Sequence, residues 1–180
     1  MGICPRQAGS TLVLRPVERV GADADFRRGG HAERRMFATS VRKASRRLTQ
    51  LYDDALAPSG LRSTQFSILA ELAARSVPPT LSELAQAMVS DRSSLGHALR
   101  PLIRDGHVAL RRDEADRRTQ QIVLTGRGHR KFREGLVHWR TVQEAFVSLY
   151  GDRWSKTLRT AVLTIAHDDR LGELTGDVGL

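Results

Sequence analysis

The chain has 180 residues, 40% of them hydrophobic, and a formal net charge of +9. This length suits one domain with an ordinary core, and the positive charge favours a polyanionic partner whose counterions are released on binding. All but three of the 29 basic residues are arginine, and the single cysteine, Cys4, excludes an internal disulfide and fits a reducing cytoplasm.

Residues 1–30 are rich in Gly, Arg and Asp and read as a poorly ordered tail, or as a basic arm that helps to hold nucleic acid. Their apolar patch, Thr11-Leu12-Val13-Leu14, is too short for a signal peptide. No apolar run in the chain reaches the roughly 20 residues that span a bilayer. From about His31 to Leu56 the pattern becomes helical, with Val41, Ala44, Leu48, Leu51 and Ala55 on one face. Ala57-Pro58-Ser59-Gly60 breaks that helix. A second helix, from about Ser63 to Ala74, carries the stripe Phe66, Leu69, Ala70 and Ala73.

The stretch Thr80–Thr125 reads as two short helices followed by a hairpin. Thr80-Leu81-Ser82-Glu83 is a capping box, and Leu81, Leu84, Ala85 and Met88 share a face. Ser90 or Asp91 caps the next helix, whose buried stripe is expected to be Leu95, Ala98, Leu99, Leu102 and Ile103. Its outward face carries Arg92, Ser93, Ser94, His97 and Arg100. Pro101 removes one helical hydrogen bond and is expected to kink the helix beyond those residues. Gly106 supplies the left-handed stop. Val108 and Leu110, then Ile122 and Leu124, alternate with polar neighbours as a half-buried hairpin does. Between them, Arg111-Arg112-Asp113-Glu114-Ala115-Asp116-Arg117-Arg118 is too charged to pack inside anything.

Beyond the hairpin, Thr125 can cap a long helix, although Gly126 and Gly128 weaken its first turn. Phe132, Leu136, Trp139, Val142, Phe146 and Leu149 recur at helical spacing. Gly151-Asp152 interrupts, and Trp154, Leu158, Ala161, Val162 and Ile165 form another stripe. A small domain cannot cover three long apolar faces alone, so these helices are expected to dimerise.

No catalytic constellation emerges. His31, His97, His107, His129, His138 and His167 lack a metal-ligand spacing, Cys4 has no evident base partner, and no phosphate-cradling glycine loop is present. Asp53-Asp54 and Asp168-Asp169 read as solvated carboxylates at helix ends. No enzyme, cofactor or metal is expected.

Two helices joined by a tight turn and followed by an arginine-tipped hairpin form a winged helix-turn-helix arrangement. Gly60-Leu61 with Gln65-Phe66, then Gly106-His107-Val108, Asp116-Arg117-Arg118 and Leu124-Thr125, resemble the MarR family of winged helix-turn-helix regulators. The resemblance runs from about Met36 to about Leu174, and His107 stands where that family usually has leucine. It implies a mainly α fold with a small β-hairpin wing, in a domain spanning residues 31–174. The winged core would cover about 60–125, with dimerisation helices at about 31–56 and 125–174 and a tail at 175–180. The function implied is a cytoplasmic repressor, a homodimer on a pseudo-palindromic operator in double-stranded DNA. A small effector, bound between the dimer helices and the DNA-binding lobe, would release it. A protein that coats DNA without sequence choice is the alternative.

On this reading Arg92, Ser93, Ser94, His97 and Arg100 of the recognition helix contact DNA, together with Arg111, Arg112, Asp116, Arg117 and Arg118 of the wing. Arg118 matches the second arginine of the family's Asp-Arg-Arg, which enters the minor groove, and Asp116 is expected to orient it by a charge-assisted hydrogen bond. One branch of the family senses hydroperoxides through a first-helix cysteine. Ala38 holds the matching position here, so peroxide is expected to leave DNA affinity unchanged.

Overall fold

In the computed structural model, which describes residues 37–112, 116 and 118–171, the chain runs through six helices and a hairpin. These are α1 (Phe37–Leu56), α2 (Ser63–Ala74), α3 (Leu81–Ala87), α4 (Arg92–Arg104), β1 (Val108–Arg112), β2 (Gln120–Leu124), α5 (Gly126–Tyr150) and α6 (Asp152–Ala166). The part of the first helix expected at 31–36 lies outside the described residues, as do the tails.

A short 3-10 turn, Ala57–Ser59, ends α1, and Gly60 at φ +69° turns the chain toward α2. The Ser63 amide, exposed at the start of α2, donates to Asp53 Oδ1 at 2.6 Å. Asp53 therefore caps α2 from across the turn, where sequence alone read a solvated carboxylate. Partial burial alone would raise its pKa, but the Ser63 bonds and the Arg62 guanidinium outweigh that and hold the carboxyl below its ordinary value.

The core lies among α2, α3, α4 and the base of the hairpin, with Leu56, Ile68, Leu69, Leu84, Leu102, Val108 and Ile122 fully buried. In α2 the buried residues are Phe66, Ile68, Leu69 and Leu72, whereas Ala70 and Ala73, expected in the stripe, are half-buried. This helix is covered on more than one side, so a single-stripe reading undercounts it. Phe132 and Trp139 of α5 reach over the core to stack on Phe66, with ring centroids 5.5 and 6.1 Å away.

The hairpin pairs Val108 with Leu124 and Leu110 with Ile122. Ile122 is 1% exposed, but Leu110 opposite it is 49% exposed, against the expected alternation. The reason is a third backbone segment. The Ile122 amide donates to the Pro79 carbonyl at 2.8 Å, and Thr80 bridges Gln121, so β2 is flanked on both sides and β1 is the open edge. Ile103, expected in the buried stripe of α4, is 36% exposed. Leu95, Leu99 and Leu102 already define the buried line, and Ile103 stands about 100° off Leu102 around the axis.

The start of α5 is locked to the end of α4. The Thr125 hydroxyl donates to the carbonyls of Gly106 (2.8 Å) and His107 (3.1 Å) and accepts the Gly128 amide (3.0 Å). Gly128 is buried, and a Cβ there would run into the His107 carbonyl and the Leu124 side chain. What reads in sequence as a weak helical start is the one residue that lets α5 approach this closely. Gly128→Ala is expected to destabilise the protein by about 1–3 kcal/mol through overpacking. Gly96→Ala, in the open interior of α4, is expected to stabilise by up to about 1 kcal/mol. Urea unfolding of the two variants checks both signs.

Candidate nucleic-acid interface

The helix-turn-helix is built from local caps. At α3, the Glu83 amide donates to Thr80 Oγ1 at 3.2 Å while Glu83 Oε2 accepts the Thr80 amide at 2.7 Å, the reciprocal box that the sequence announces. Val89 in the following turn sits at φ +49°, a conformation that β-branched residues rarely adopt. The Ser90 amide, bonded to the Ala85 carbonyl at 2.9 Å, closes that turn. Asp91 then caps α4, its Oδ1 accepting the Ser94 amide at 2.8 Å. These bonds from Ser94 hold the Asp91 carboxyl below its ordinary pKa.

Leu95, Leu99 and Leu102 fasten one side of α4 into the core, and Arg92, Ser93, Ser94, His97 and Arg100 are all exposed. The helix continues through Pro101 to Arg104 and ends in a Schellman arrangement. The His107 amide donates to the Leu102 carbonyl at 2.8 Å and the Gly106 amide to the Ile103 carbonyl at 3.0 Å. Gly106, at φ +71°, supplies the left-handed residue that this requires.

On the wing, Arg111, Arg112, Asp116 and Arg118 are exposed, and Arg117 lies outside the described residues. Asp116 meets Arg118 at its backbone amide. Its Oδ1 accepts the backbone amide of Arg118 at 3.0 Å, and its Oδ2 accepts the Thr119 hydroxyl at 2.9 Å. These bonds fold the turn, as short Asp side chains do when a backbone amide two residues on is within reach. Arg111 instead reaches across the strands toward Gln121 Oε1 at 3.3 Å.

Sequence reasoning left the residues behind this surface unnamed. A cavity of about 610 Å³ lies between the α1–α2 turn, the end of α4 and the first turns of α5, lined by Leu61, Leu102, Asp105, His107, Arg127, Arg130, Lys131 and Glu134 among others. His107 is 7% exposed, and its Nδ1 is buried without a hydrogen-bond partner. The signal available in sequence was Arg127 and Arg130, three residues apart on α5 after the His107 that replaces the family's leucine. Among the described residues no group of three or more His, Cys, Asp or Glu gathers as metal ligands, and no helix is long and apolar enough to cross a membrane.

A sequence model of the MarR family matches residues 61–119, the span from the start of α2 to the wing. The Mycobacterium tuberculosis transcriptional regulator MOSR, solved in complex with DNA, is 34% identical, with 80% of this chain and 98% of that one covered at a TM-score of 0.63. The chain belongs to the MarR family. The MarR-family structures that it matches are transcriptional regulators. Two structures of the repressor CouR share the fold with this MarR protein at lower identity. One, bound to a 23-mer DNA duplex, is 23% identical over 77% of this chain and 96% of that one, at a TM-score of 0.69. The other, from Rhodococcus jostii RHA1 and bound to p-coumaroyl-CoA, is 21% identical over 71% and 90%, at 0.64. No curated protein sequence matches the chain.

Burial lowers the pKa of His107 below its ordinary 6.5, and the nearby Arg127 and Lys131 lower it further against the smaller opposite pull of Asp105 and Glu134. As pH falls through 6.5 the unfolded chain takes up this proton before the folded one does, so stability is fully present above that pH and is lost below it. Thermal unfolding between about pH 7.5 and 5.5 is expected to show this loss in the wild type and a smaller one in His107→Leu. An unchanged pH profile in the variant would show that His107 does not titrate in this window.

Proposed function

We propose that this MarR-family protein is a repressor that binds a pseudo-palindromic operator as a homodimer and leaves it when a small effector binds. The outward face of α4 carries the proposal: Arg92, Ser93, Ser94, His97 and Arg100 stand exposed on a helix whose opposite side is fixed in the core. A helix of this diameter fits the major groove, where short hydroxyls and an imidazole permit close approach to base edges. Arg100 addresses a guanine or a phosphate. Arg118 enters the adjacent minor groove from the turn that Asp116 folds, while Arg111, Arg112 and Arg117 neutralise phosphates. The identity of 34% to MOSR, whose structure contains DNA, supports this reading. The two CouR structures, one with DNA and one with p-coumaroyl-CoA, support release by a small molecule. The protein would act in the cytoplasm.

The outer helices support the dimer. Phe37 on α1 and Val137 on α5 are 66% and 65% exposed, and Trp154, Val162, Leu163 and Ile165 on α6 are each more than two-fifths exposed. Large apolar side chains left exposed along several long helices are expected of an interface. A two-fold pair would set two copies of α4 about one helical turn apart on DNA. Light scattering at micromolar concentration is expected to give twice the chain mass, and a well-folded monomer would contradict this.

Arg118→Ala is expected to weaken operator binding strongly and to reduce the slope of log affinity against log salt by about one unit, with folding intact. His97→Ala is expected to change preference among operator variants by roughly 1–3 kcal/mol with little change in that slope. Anisotropy titrations of both variants at several salt concentrations, against operator and unrelated duplexes, make the test. Unchanged affinity in Arg118→Ala would remove the wing from the recognition surface. Equal affinity of the wild type for all duplexes would favour sequence-independent coating, to which the charge of +9 would also be suited.

A further inference from the structure

Helices α3 and α4 end in the same motif. At α4, Gly106 occupies the left-handed position, at φ +71°. At α3 the Ser90 amide donates to the Ala85 carbonyl at 2.9 Å and the Val89 amide to the Gln86 carbonyl at 3.1 Å. Val89 therefore holds the equivalent place, at φ +49°. Glycine fits such a position without strain, and the turn of a helix-turn-helix often contains one. A β-branched residue crowds its own backbone there. Among the described residues Val89 is the one non-glycine residue with a positive φ.

Nothing inside the fold rewards the valine. Its side chain is 57% exposed, so it fills no space in the core. The next position, which often adds an apolar contact to an ending of this kind, is held by exposed Ser90, whose hydroxyl donates to the Asp91 carbonyl at 3.3 Å. A strained backbone that no packing offsets is characteristic of residues kept for what they contact.

The place of Val89 in the chain indicates that contact. It lies two residues before Asp91, the cap of α4, and three before Arg92, where the outward face begins. In a helix-turn-helix the first residues of the second helix meet the base edges. The residue just ahead of them borders the same groove, beside Arg92, Ser93 and Ser94, all exposed. The base edges of the major groove offer one apolar group, the C5 methyl of thymine.

We propose that Val89 is a specificity-determining residue whose isopropyl group packs on a thymine methyl in each half-site. The contact rests on the DNA reading proposed above and deepens it. Packing the two apolar groups together removes both from water, whereas a base without the methyl leaves the valine exposed. Glycine or asparagine would suit the turn better but would bring no methyl group to the groove.

A duplex selected from a randomised pool tests this, together with copies in which symmetric pairs of thymines are replaced by deoxyuridine, one pair at a time. The wild type is expected to lose about tenfold in affinity at one such pair, at about fourfold for each methyl group no longer buried. Val89→Gly and Val89→Asn are expected to bind the thymine duplex about tenfold more weakly and to be indifferent to that one replacement. Their urea midpoints are expected to be no lower than that of the wild type, since both residues tolerate the left-handed region. Unchanged binding of the thymine duplex by Val89→Gly would overturn the contact, as would variants that respond to every replacement as the wild type does. A lower urea midpoint in both variants would show that Val89 serves the fold, and would overturn it too. Failure of the wild type to prefer any duplex over unrelated DNA would strike the sequence-specific reading itself, whereas loss of the uracil effect alone would strike only this contact.

Discussion

One backbone oxygen, the carbonyl of His107, holds the three working parts of this molecule in register. It accepts both the amide and the hydroxyl of Thr125, each at 3.1 Å, and Gly128 packs against it with no room for a side chain. The Gly106 turn that stops the recognition helix lies one residue earlier, β1 starts one residue later, and the long helix α5 is capped by Thr125. Any movement of α5 against the helix-turn-helix must therefore change the bonds at this joint. In a protein whose outer helices are proposed to set the spacing of two recognition helices, that makes the joint the place where the two functions meet.

The stability of the reading surface comes from its hidden side. Leu95, Leu99 and Leu102 fix α4 in rotation about its axis, and the Asp91 cap and the Schellman ending fix its two ends. The exposed face is consequently free of structural duty, and its short side chains can be chosen for what they contact. The wing is held differently, by its base. Ile122 is anchored on the Pro79 carbonyl and Val108 is buried, while Leu110 and the arginines beyond it extend past the core. Asp116 tightens the far turn through backbone bonds and leaves the Arg118 side chain exposed.

Local signals carried far in this chain. The Thr80–Glu83 box, the stop at Gly106 and the cap at Thr125 each depend on residues within five positions of one another, and each takes the form its sequence implies. What could not be read was whatever one segment does for a distant one. Asp53 caps a helix ten residues on, Pro79 supplies a bond partner to a strand forty residues later, and Gly128 is required by a carbonyl of another element. Ile103 and Leu110 fit their periodic patterns and are exposed because the pattern gives a face, while coverage depends on which neighbours arrive there. At the candidate site the outward residues of α4 were legible from helical phase alone. The cavity was not, since Leu61, His107 and Arg130 come from three separate stretches.

A hydroxyl-radical footprint of the protein on its operator tests the central claim most directly. Two recognition helices presented by a two-fold pair predict protected patches related by a dyad, with half-site centres about one helical turn, 10–10.5 base pairs, apart. The minor-groove contacts of Arg118 should flank them and vanish in Arg118→Ala. Continuous protection without a dyad, unchanged by that substitution, would contradict the account.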